Sequence, residues 1–244
     1  MNRIHVIQEL INEVRAETYL EIGVKKGQCF LNIFAPSKIG VDPEFKIPAQ
    51  RKLSTAVQNP TNVTNRYYEI TSDEFFEKHA DRVLTSGIDV AFVDGLHTYQ
   101  QSYTDVTNVL KHLNDGGVIV MHDCNPTSEV AALPADSIKD VRLMDIPGWT
   151  GDWCGDVWKA VAMLRSQHED IRVFVLDCDF GLGIVSKGTP KAVLPFTRQE
   201  VDNFTYDDLD KQRQEILDLQ NEEYLWDFTR ELRSRNLIAN QRAL

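Results

Sequence analysis

The sequence has 244 residues, of which 42% are apolar, with 26 Lys and Arg against 37 Asp and Glu. A net charge of −11 repels nucleic-acid phosphates and anionic lipid headgroups, so we expect no nucleic acid or membrane partner. No apolar run is long enough to span a bilayer, and the first residues lack the pattern of a signal peptide, which predicts a cytoplasmic protein. Four scattered cysteines predict neither a zinc knuckle nor a dithiol motif.

Short strand patterns alternate with helical patterns from residue 18 to about residue 188. This alternation predicts an α/β fold, a doubly wound and mainly parallel seven-stranded sheet with helices on both faces. A leading helix is indicated by Ile4, Ile7, Ile11 and Val14, which share one helical face. The predicted strands cover 19–24, 38–42, 66–70, 88–94, 118–123, 171–176 and 181–186. Helices are predicted over 28–34, 72–84 and 156–168, and the helix after the fourth strand carries Val106, Val109, Leu110 and Leu113 on one face.

Only four residues separate the last two predicted strands. A parallel crossover needs about a dozen residues or more, so these strands must form an antiparallel hairpin. The sequence thus predicts a parallel sheet that closes with a C-terminal antiparallel pair.

The chain divides into a predicted domain over 1–195 and a helical extension over 196–244. Periodicity fails between 124 and 155, and a long irregular segment in a compact domain is usually functional, so we predict an insertion that acts as a lid. It contains Trp149 and Trp153, whose flat rings could contact a sugar or an aromatic acceptor. The C-terminal helices could dock on the domain or form a homo-oligomer.

Glycines and acids mark the carboxyl ends of the first two strands. Gly23 and Gly27 flank the turn after strand one, where they would let the backbone turn sharply and a ligand approach closely. Asp42 ends strand two and could accept hydrogen bonds from both ribose hydroxyls of a nucleotide. Glu21, inside strand one, and Ser72, at the start of the helix after strand three, complete the candidate cofactor residues on this side.

These residues resemble a known family. The run from Tyr19 to Gly27 is similar to the first motif of class I S-adenosylmethionine-dependent methyltransferases, Val41-Asp42-Pro43 is similar to their ribose-binding acid, and the final hairpin is similar to their seventh strand. The segments 92–97 and 117–123 resemble bacterial small-molecule O-methyltransferases and catechol O-methyltransferase. The resemblance implies S-adenosylmethionine as cofactor and a hydroxyl of a small molecule or sugar as acceptor.

In the catechol enzyme's pattern, a metal-binding acid ends strand four, a basic catalytic residue follows three positions later, and an Asp-Asn pair ends strand five. Here Asp94, His97 and Asp123 match those positions, so the resemblance implies that Asp94 binds cofactor and metal and acts with His97 in catalysis. Neutral imidazole can accept a proton, and carboxylates suit Mg²⁺. Cys124 departs from the pattern, which leaves Asn125 or water as the third Mg²⁺ ligand, a softer metal favoured by His97 and His122, or no metal.

Two other functions fit parts of the sequence. An NAD(P)-dependent reductase would use a related sheet, but its first turn normally has the tighter Gly-x-Gly-x-x-Gly spacing. A non-catalytic binding protein could retain the fold without turnover. The acids at the ends of strands two, four and five favour the methyltransferase.

Overall fold

The computed structural model describes residues 1–242, with side chains to residue 234. One sheet of eight strands runs through the molecule in the order β3-β2-β1-β4-β5-β7-β6-β8. The first five strands are mutually parallel, β7 is antiparallel to β5 and β6, and β8 is parallel to β6. The strands are β1 Thr18–Ile22, β2 Ser37–Val41, β3 Arg66–Tyr68, β4 Ile88–Val93, β5 Leu113–Met121, β6 Ile171–Leu176, β7 Leu182–Lys187 and β8 Leu219–Gln220.

Helices cover both faces of this sheet, because neighbouring residues of each central strand point to opposite faces and both sets are apolar. Leu20, Ala91 and Ile119 face one core, and Tyr19 and Val90 face the other. The helices are α1 Arg3–Val14, α2 Ala49–Gln58, α3 Ser72–Lys78, α4 Ala80–Val83, α5 Tyr99–His112, α6 Ile138–Leu143, α7 Trp158–Gln167, α8 Arg198–Asn203, α9 Tyr206–Leu217, α10 Tyr224–Arg242, and a 3₁₀ helix at Pro60–Thr64.

The predicted fold class is confirmed. All seven predicted strands are present, and β6 and β7 form the antiparallel hairpin that the four-residue connection required. An eighth strand of two residues, β8, comes from the C-terminal extension. No helix in the described residues is both long and apolar enough to cross a membrane.

The helix predicted over 28–34 is wrong, because residues 25–32 form consecutive turns and residues 33–34 have no regular structure. The buried ammonium of Lys38 binds the carbonyl oxygens of Phe30 and Ile33 at 3.0 and 2.8 Å and also contacts the amide oxygen of Asn62. Those carbonyls therefore have a side-chain donor instead of an amide four residues later, as a helix would supply. The turns place Cys29 and Phe30 against Tyr19 and Glu21 of β1.

The helix predicted over 72–84 is divided into α3 and α4 around His79. Its N-cap is Thr71, whose hydroxyl accepts a hydrogen bond from the amide of Glu74 at 3.2 Å, and Ser72 is the first helical residue. Because Thr71 provides the cap, the Ser72 hydroxyl is free to accept other bonds.

The extension packs closely on the domain. Strand β8 pairs with β6, and α10 packs against α1 through Leu225, Phe228 and Leu232. The terminal ammonium of Met1 forms an ion pair with Glu222, which precedes α10. These contacts fix the first turn of α1 near the carboxyl ends of the central strands.

Candidate active site

A cavity of about 1040 Å³ lies at the carboxyl ends of the central strands. Parallel α/β sheets bind ligands at this edge. The predicted residues that line the cavity are Glu21, Gly23, Asp42, Ser72, Asp94, His97 and Asp123.

The turn after β1 can exist only with glycine at position 23. Gly23 has φ = +89°, and a Cβ there would lie 1.9 Å from the carbonyl oxygen of Asp94. The backbones after β1 and β4 therefore approach closely, and this glycine turn lines the cavity. Gly27 also has a positive φ, +66°.

Asp42 connects the turns after β1 and β2. One carboxylate oxygen accepts a hydrogen bond from the amide of Lys25 at 2.7 Å, and the other accepts one from the amide of Glu44 at 2.8 Å. Each carboxylate oxygen has a second acceptor site, so the group can still bind two hydroxyls. The backbone bonds hold it at the cavity wall in a fixed orientation.

Glu21 is almost completely buried beneath the first turn. Its oxygens accept hydrogen bonds from the hydroxyl of Tyr19 at 2.5 Å and from the amide of Phe30 at 3.2 Å. Burial raises the pKa of Glu21 to about 8, so the protonated carboxyl is favoured in the folded protein. This residue fixes the turn segment against β1 while it lines the cavity.

A second polar group lines the cavity beside Ser72. The amide nitrogen of Gln101 donates to the Ser72 hydroxyl at 3.3 Å, to Asp73 at 3.2 Å and to Asp105 at 3.0 Å. Burial raises the pKa of Asp105 to about 6. Sequence reasoning did not select Gln101 or Asp105, because single polar residues on an amphipathic helix normally face solvent.

The structure brings Asp94, His97 and Asp123 together at the other end of the cavity. His97 Nε2 lies 3.4 Å from Asp94 Oδ1, and His97 Nδ1 lies 3.2 Å from Asp123 Oδ2. His97 Nδ1 also lies 3.1 Å from the carbonyl oxygen of Trp153, whose ring stacks on the imidazole with centroids 5.0 Å apart. One imidazole is thus held between two carboxylates.

Three further charged or polar residues surround this cluster. Arg3, in the first turn of α1, donates two guanidinium hydrogen bonds to Asp179, from Nε at 2.9 Å and from Nη2 at 2.8 Å. A longer bond of 3.2 Å runs from its Nη1 to Asp94. His122 is buried, with Nδ1 at 2.9 Å from Asp123 Oδ2. Sequence analysis missed Arg3 and Asp179, since no local pattern links residues 176 positions apart.

The charges in the cluster stabilise one another. Burial opposes ionisation of Asp94, but His122 and His97 outweigh it and hold the pKa of the Asp94 carboxyl below its usual range. Burial also opposes protonation of both imidazoles, but the neighbouring carboxylates outweigh it and raise the pKa values of His97 and His122. Both histidines therefore keep a proton to higher pH than a free imidazole does.

Asn125 is not brought into the cluster. Its side-chain nitrogen donates to Asp177 at 2.9 Å, and its oxygen accepts from Arg213 at 2.5 Å. Asp123 has φ = +59°, and the chain beyond it bonds to the connection between β6 and β7, with the Asn125 amide 2.8 Å from the carbonyl of Phe180. The Asn125 side chain, which was predicted as a third metal ligand, is therefore bonded to Asp177 and Arg213 instead.

The segment 124–155 is anchored at both ends. At its start, the amides of Cys124 and Asn125 donate to the carbonyls of Gly181 and Phe180 at 3.0 and 2.8 Å, and near its end the Trp153 carbonyl lies 3.1 Å from His97 Nδ1. Within the segment, the Trp153 indole donates to the carbonyl of Leu133 at 2.8 Å. Trp153 consequently forms part of the cavity wall, and Trp149 lies in the more exposed stretch that contains α6. Phe180 is an aromatic residue at the cavity that the sequence did not indicate.

The strand order, the glycine turn and the acids at the rim define the fold of the class I S-adenosylmethionine-dependent methyltransferases. Residues 20–124 match the family model described as a methyltransferase domain. The resemblance to class I methyltransferases that the sequence indicated is confirmed by this match and by the fold.

Three solved structures illustrate the likeness of fold. The O-methyltransferase TomG from Streptomyces achromogenes, solved with S-adenosylmethionine, is 15% identical over 76% of this chain and 79% of its own, with a TM-score of 0.55. A Bacillus cereus O-methyltransferase in complex with S-adenosylhomocysteine is 13% identical over 77% and 82%, with a TM-score of 0.51. A putative caffeoyl-CoA O-methyltransferase from Staphylococcus aureus is 18% identical over 76% and 82%, with a TM-score of 0.51.

One relative is similar in sequence over part of its length. An uncharacterised protein of Acanthamoeba polyphaga mimivirus is 32% identical over 129 residues, which cover 49% of this chain and 58% of that protein. The chain thus spans somewhat more than half of the length of this relative.

The buried Glu21 carboxyl makes the stability of the protein depend on pH. The pKa of Glu21 is raised on folding, so its contribution is fully present below the pKa of the unfolded chain and is lost as pH rises toward about 8. We predict that Glu21→Gln loses less stability than the wild type between about pH 5 and about pH 8. Urea unfolding at both pH values measures this difference. The exposed Glu17→Gln variant is the control, and parallel curves for Glu21→Gln and wild type would contradict the assignment.

Proposed function

We propose that this protein is an S-adenosylmethionine-dependent O-methyltransferase that acts on a hydroxyl of a small-molecule or glycan acceptor. The observation that carries the proposal is one cavity with two chemically different ends. One end has an open glycine turn beside the fixed carboxylate of Asp42, and the other has the Asp94, His97 and Asp123 cluster. The complexes of TomG with S-adenosylmethionine and of the Bacillus cereus enzyme with S-adenosylhomocysteine support the same choice of cofactor.

The first end suits the nucleoside of the cofactor. A Cβ at position 23 would clash with the Asp94 carbonyl, so only glycine lets the chain after β1 pack against the chain after β4 where both line the cavity. Asp42 would accept hydrogen bonds from the ribose hydroxyls, and Ser72 lies on the same side of the cavity. When bound, S-adenosylmethionine supplies a methyl group on a positively charged sulfur.

The second end suits the acceptor. An oxygen that receives a methyl group must be held in line with the bond that breaks, and it must lose its proton. The cluster provides carboxylates and an imidazole at a part-buried surface, where His97 is about one-quarter exposed. We propose Asp94 and His97 as the catalytic residues, with Asp94 and Asp123 as the carboxylates that bind a divalent cation such as Mg²⁺. His97 can act there in two ways, as a proton acceptor or as a metal ligand.

The sheet order argues against the reductase. A dinucleotide-binding sheet has the parallel order 3-2-1-4-5-6, whereas here an antiparallel β7 is inserted between β5 and β6. The presence of Asp42, Asp94 and Asp123 at this edge of the sheet favours an enzyme over a non-catalytic binding protein.

The fixed carboxylate of Asp42 gives a direct test of the cofactor site. We predict that Asp42→Ala weakens binding of S-adenosylhomocysteine by about 1.5 to 3 kcal/mol, because hydrogen bonds to a charged group are lost. Isothermal titration calorimetry measures the affinity, and a thermal melt establishes that the variant is folded. Asp115→Ala, at the opposite end of the sheet, should bind like the wild type. Unchanged affinity in folded Asp42→Ala would remove this residue from the site.

The position of His97 predicts a large effect on turnover. We expect His97→Ala to reduce the rate about 10²- to 10⁴-fold while S-adenosylhomocysteine still binds, since proton transfer from a hydroxyl is worth about that factor. Methyl transfer is measured with an acceptor selected from a panel of hydroxylated small molecules and glycans. His112→Ala, at the far end of α5, is the matched control. A near-wild-type rate for His97→Ala would exclude it from catalysis.

The exposed middle of the insertion predicts where a protease cuts first. Lys139 and Arg142 are exposed in α6, whereas both ends of the insertion are bonded to the domain. We expect trypsin to cleave at these residues first and more slowly when S-adenosylhomocysteine and acceptor are bound, if the insertion is a lid. Mass spectrometry identifies the fragments. First cuts in another region, or equal rates with and without ligands, would argue against a lid.

A further inference from the structure

The connection between β6 and β7 has an unusual backbone. Asp179, Phe180 and Gly181 have φ values of +47°, +62° and +87°, so three successive residues adopt the left-handed conformation. Glycine adopts this conformation without strain, whereas a residue with a bulky side chain pays a cost in conformational energy. Phe180 is therefore held in an unfavourable backbone conformation.

The contacts that hold this connection do not use the Phe180 ring. The Phe180 carbonyl accepts a hydrogen bond from the amide of Asn125 at 2.8 Å. The Asp179 carboxylate accepts one from the amide of Arg3 at 2.7 Å. A glycine at position 180 would offer the same carbonyl, so these bonds do not explain why the residue is a phenylalanine.

The ring is not needed to fill a core. Phe180 belongs to neither of the two apolar cores that the described residues form, and it lies partly exposed at the wall of the cavity. Strained residues cluster at ligand sites, where the surrounding structure maintains them for a functional contact. The ring of Phe180 is thus available to a molecule in the cavity.

Phe180 and Trp153 each contact one histidine of the cluster. His97 Nδ1 and His122 Nδ1 lie 3.2 and 2.9 Å from the same oxygen of Asp123. The Trp153 ring stacks on His97 with centroids 5.0 Å apart, and the Phe180 ring lies nearly perpendicular to His122 with centroids 6.3 Å apart. Both aromatic rings therefore line the acceptor end of the cavity.

Aromatic walls suit an acceptor that contains a ring. Aromatic side chains provide a large apolar contact surface and pack against other rings at centroid distances of about 4.5 to 7 Å. Ile4 and Ile138 add further apolar side chains to the cavity wall. A small open-chain alcohol has too little flat surface to cover such walls. The chemistry that fits is a flat apolar ring face, which an aromatic compound and the CH face of a sugar both present.

We propose that Phe180 is a specificity-determining residue whose side chain contacts a ring of the acceptor, and that its strained backbone is retained for this contact. The inference rests on the proposed function, because it names the shape of the acceptor in that site. The acceptor's ring lies against Phe180 while its hydroxyl meets Asp94 and His97. Open-chain alcohols bind much more weakly.

The first experiment compares ring probes with an open-chain probe. Phenol and methyl β-glucoside are the ring probes, ethylene glycol is the control, and ligand-observed NMR titrations of the full chain with S-adenosylhomocysteine give the dissociation constants. We expect the wild type to bind at least one ring probe, and to bind ethylene glycol at least about tenfold more weakly. The ring probe that binds more tightly identifies the acceptor ring as aromatic or as a sugar.

Two variants separate ring contact from backbone strain. Phe180→Ala and Phe180→Gly both remove the ring, but only glycine relieves the left-handed conformation. We expect both variants to bind the ring probe at least about fivefold more weakly than the wild type. Phe180→Gly should unfold about 2 to 4 °C above Phe180→Ala, and within about 4 °C of the wild type.

The matched control for strain is Arg15→Gly. Arg15 has φ = +54° at the end of α1 and is not one of the residues that line the cavity. This variant relieves the same backbone conformation, so it should be at least as stable as the wild type and should bind the ring probe equally well.

The outcomes that overturn the proposal are specific. Unchanged binding of the ring probe to Phe180→Gly would overturn it, as would a wild type that binds neither ring probe or binds ethylene glycol equally well. Unfolding of Phe180→Gly more than about 4 °C below the wild type would assign the ring to the fold instead. Binding of S-adenosylhomocysteine to the same samples is measured separately. Its absence in the wild type would refute the proposed function, whereas its presence with unchanged ring-probe binding in Phe180→Gly would refute only the role of Phe180.

Discussion

The rest of the site depends on the ion pairs between aspartates and histidines at the ends of β4 and β5. Two neighbouring parallel strands each end in an aspartate, and ionised carboxylates at such a part-buried edge are stable only beside cations or hydrogen-bond donors. His97 and His122 lie within 3.4 Å of these acids. The resulting cluster can exchange protons or bind a cation, which is what the proposed methyl transfer to a hydroxyl requires.

Both termini of the chain contribute to this edge. Arg3 reaches Asp179 and Asp94 only because α1 lies across the end of the sheet, and α1 is held by its packing against α10 and by the ion pair between Met1 and Glu222. The hairpin between β6 and β7 supplies Asp179. The C-terminal extension therefore supports the candidate active site indirectly, through α1.

Much of the fold was predictable because the central strands are buried on both faces and appear as continuous apolar runs. The proximity of Asp94 and Asp123 was also predictable, because the carboxyl ends of neighbouring parallel strands lie at the same edge of the sheet. Local sequence patterns gave wrong or missing predictions where the conformation depends on contacts between residues that are far apart in the sequence. At Phe30, the Lys38 ammonium binds the backbone carbonyl that a helical amide would otherwise bind. Arg3 binds Asp179, which is distant in the sequence. The position of Asn125 was also unpredictable, because it depends on how the chain beyond Asp123 pairs with the β6–β7 connection.

The most direct test of the account is a crystal structure of the protein with S-adenosylhomocysteine. We predict that the ribose hydroxyls bind Asp42 and that the sulfur faces Asp94 and His97, since only then would a methyl group meet an acceptor at the cluster. Density for the ligand outside this cavity would contradict the account. So would a bound ligand with its sulfur directed away from the cluster, because methyl transfer could not then occur beside His97.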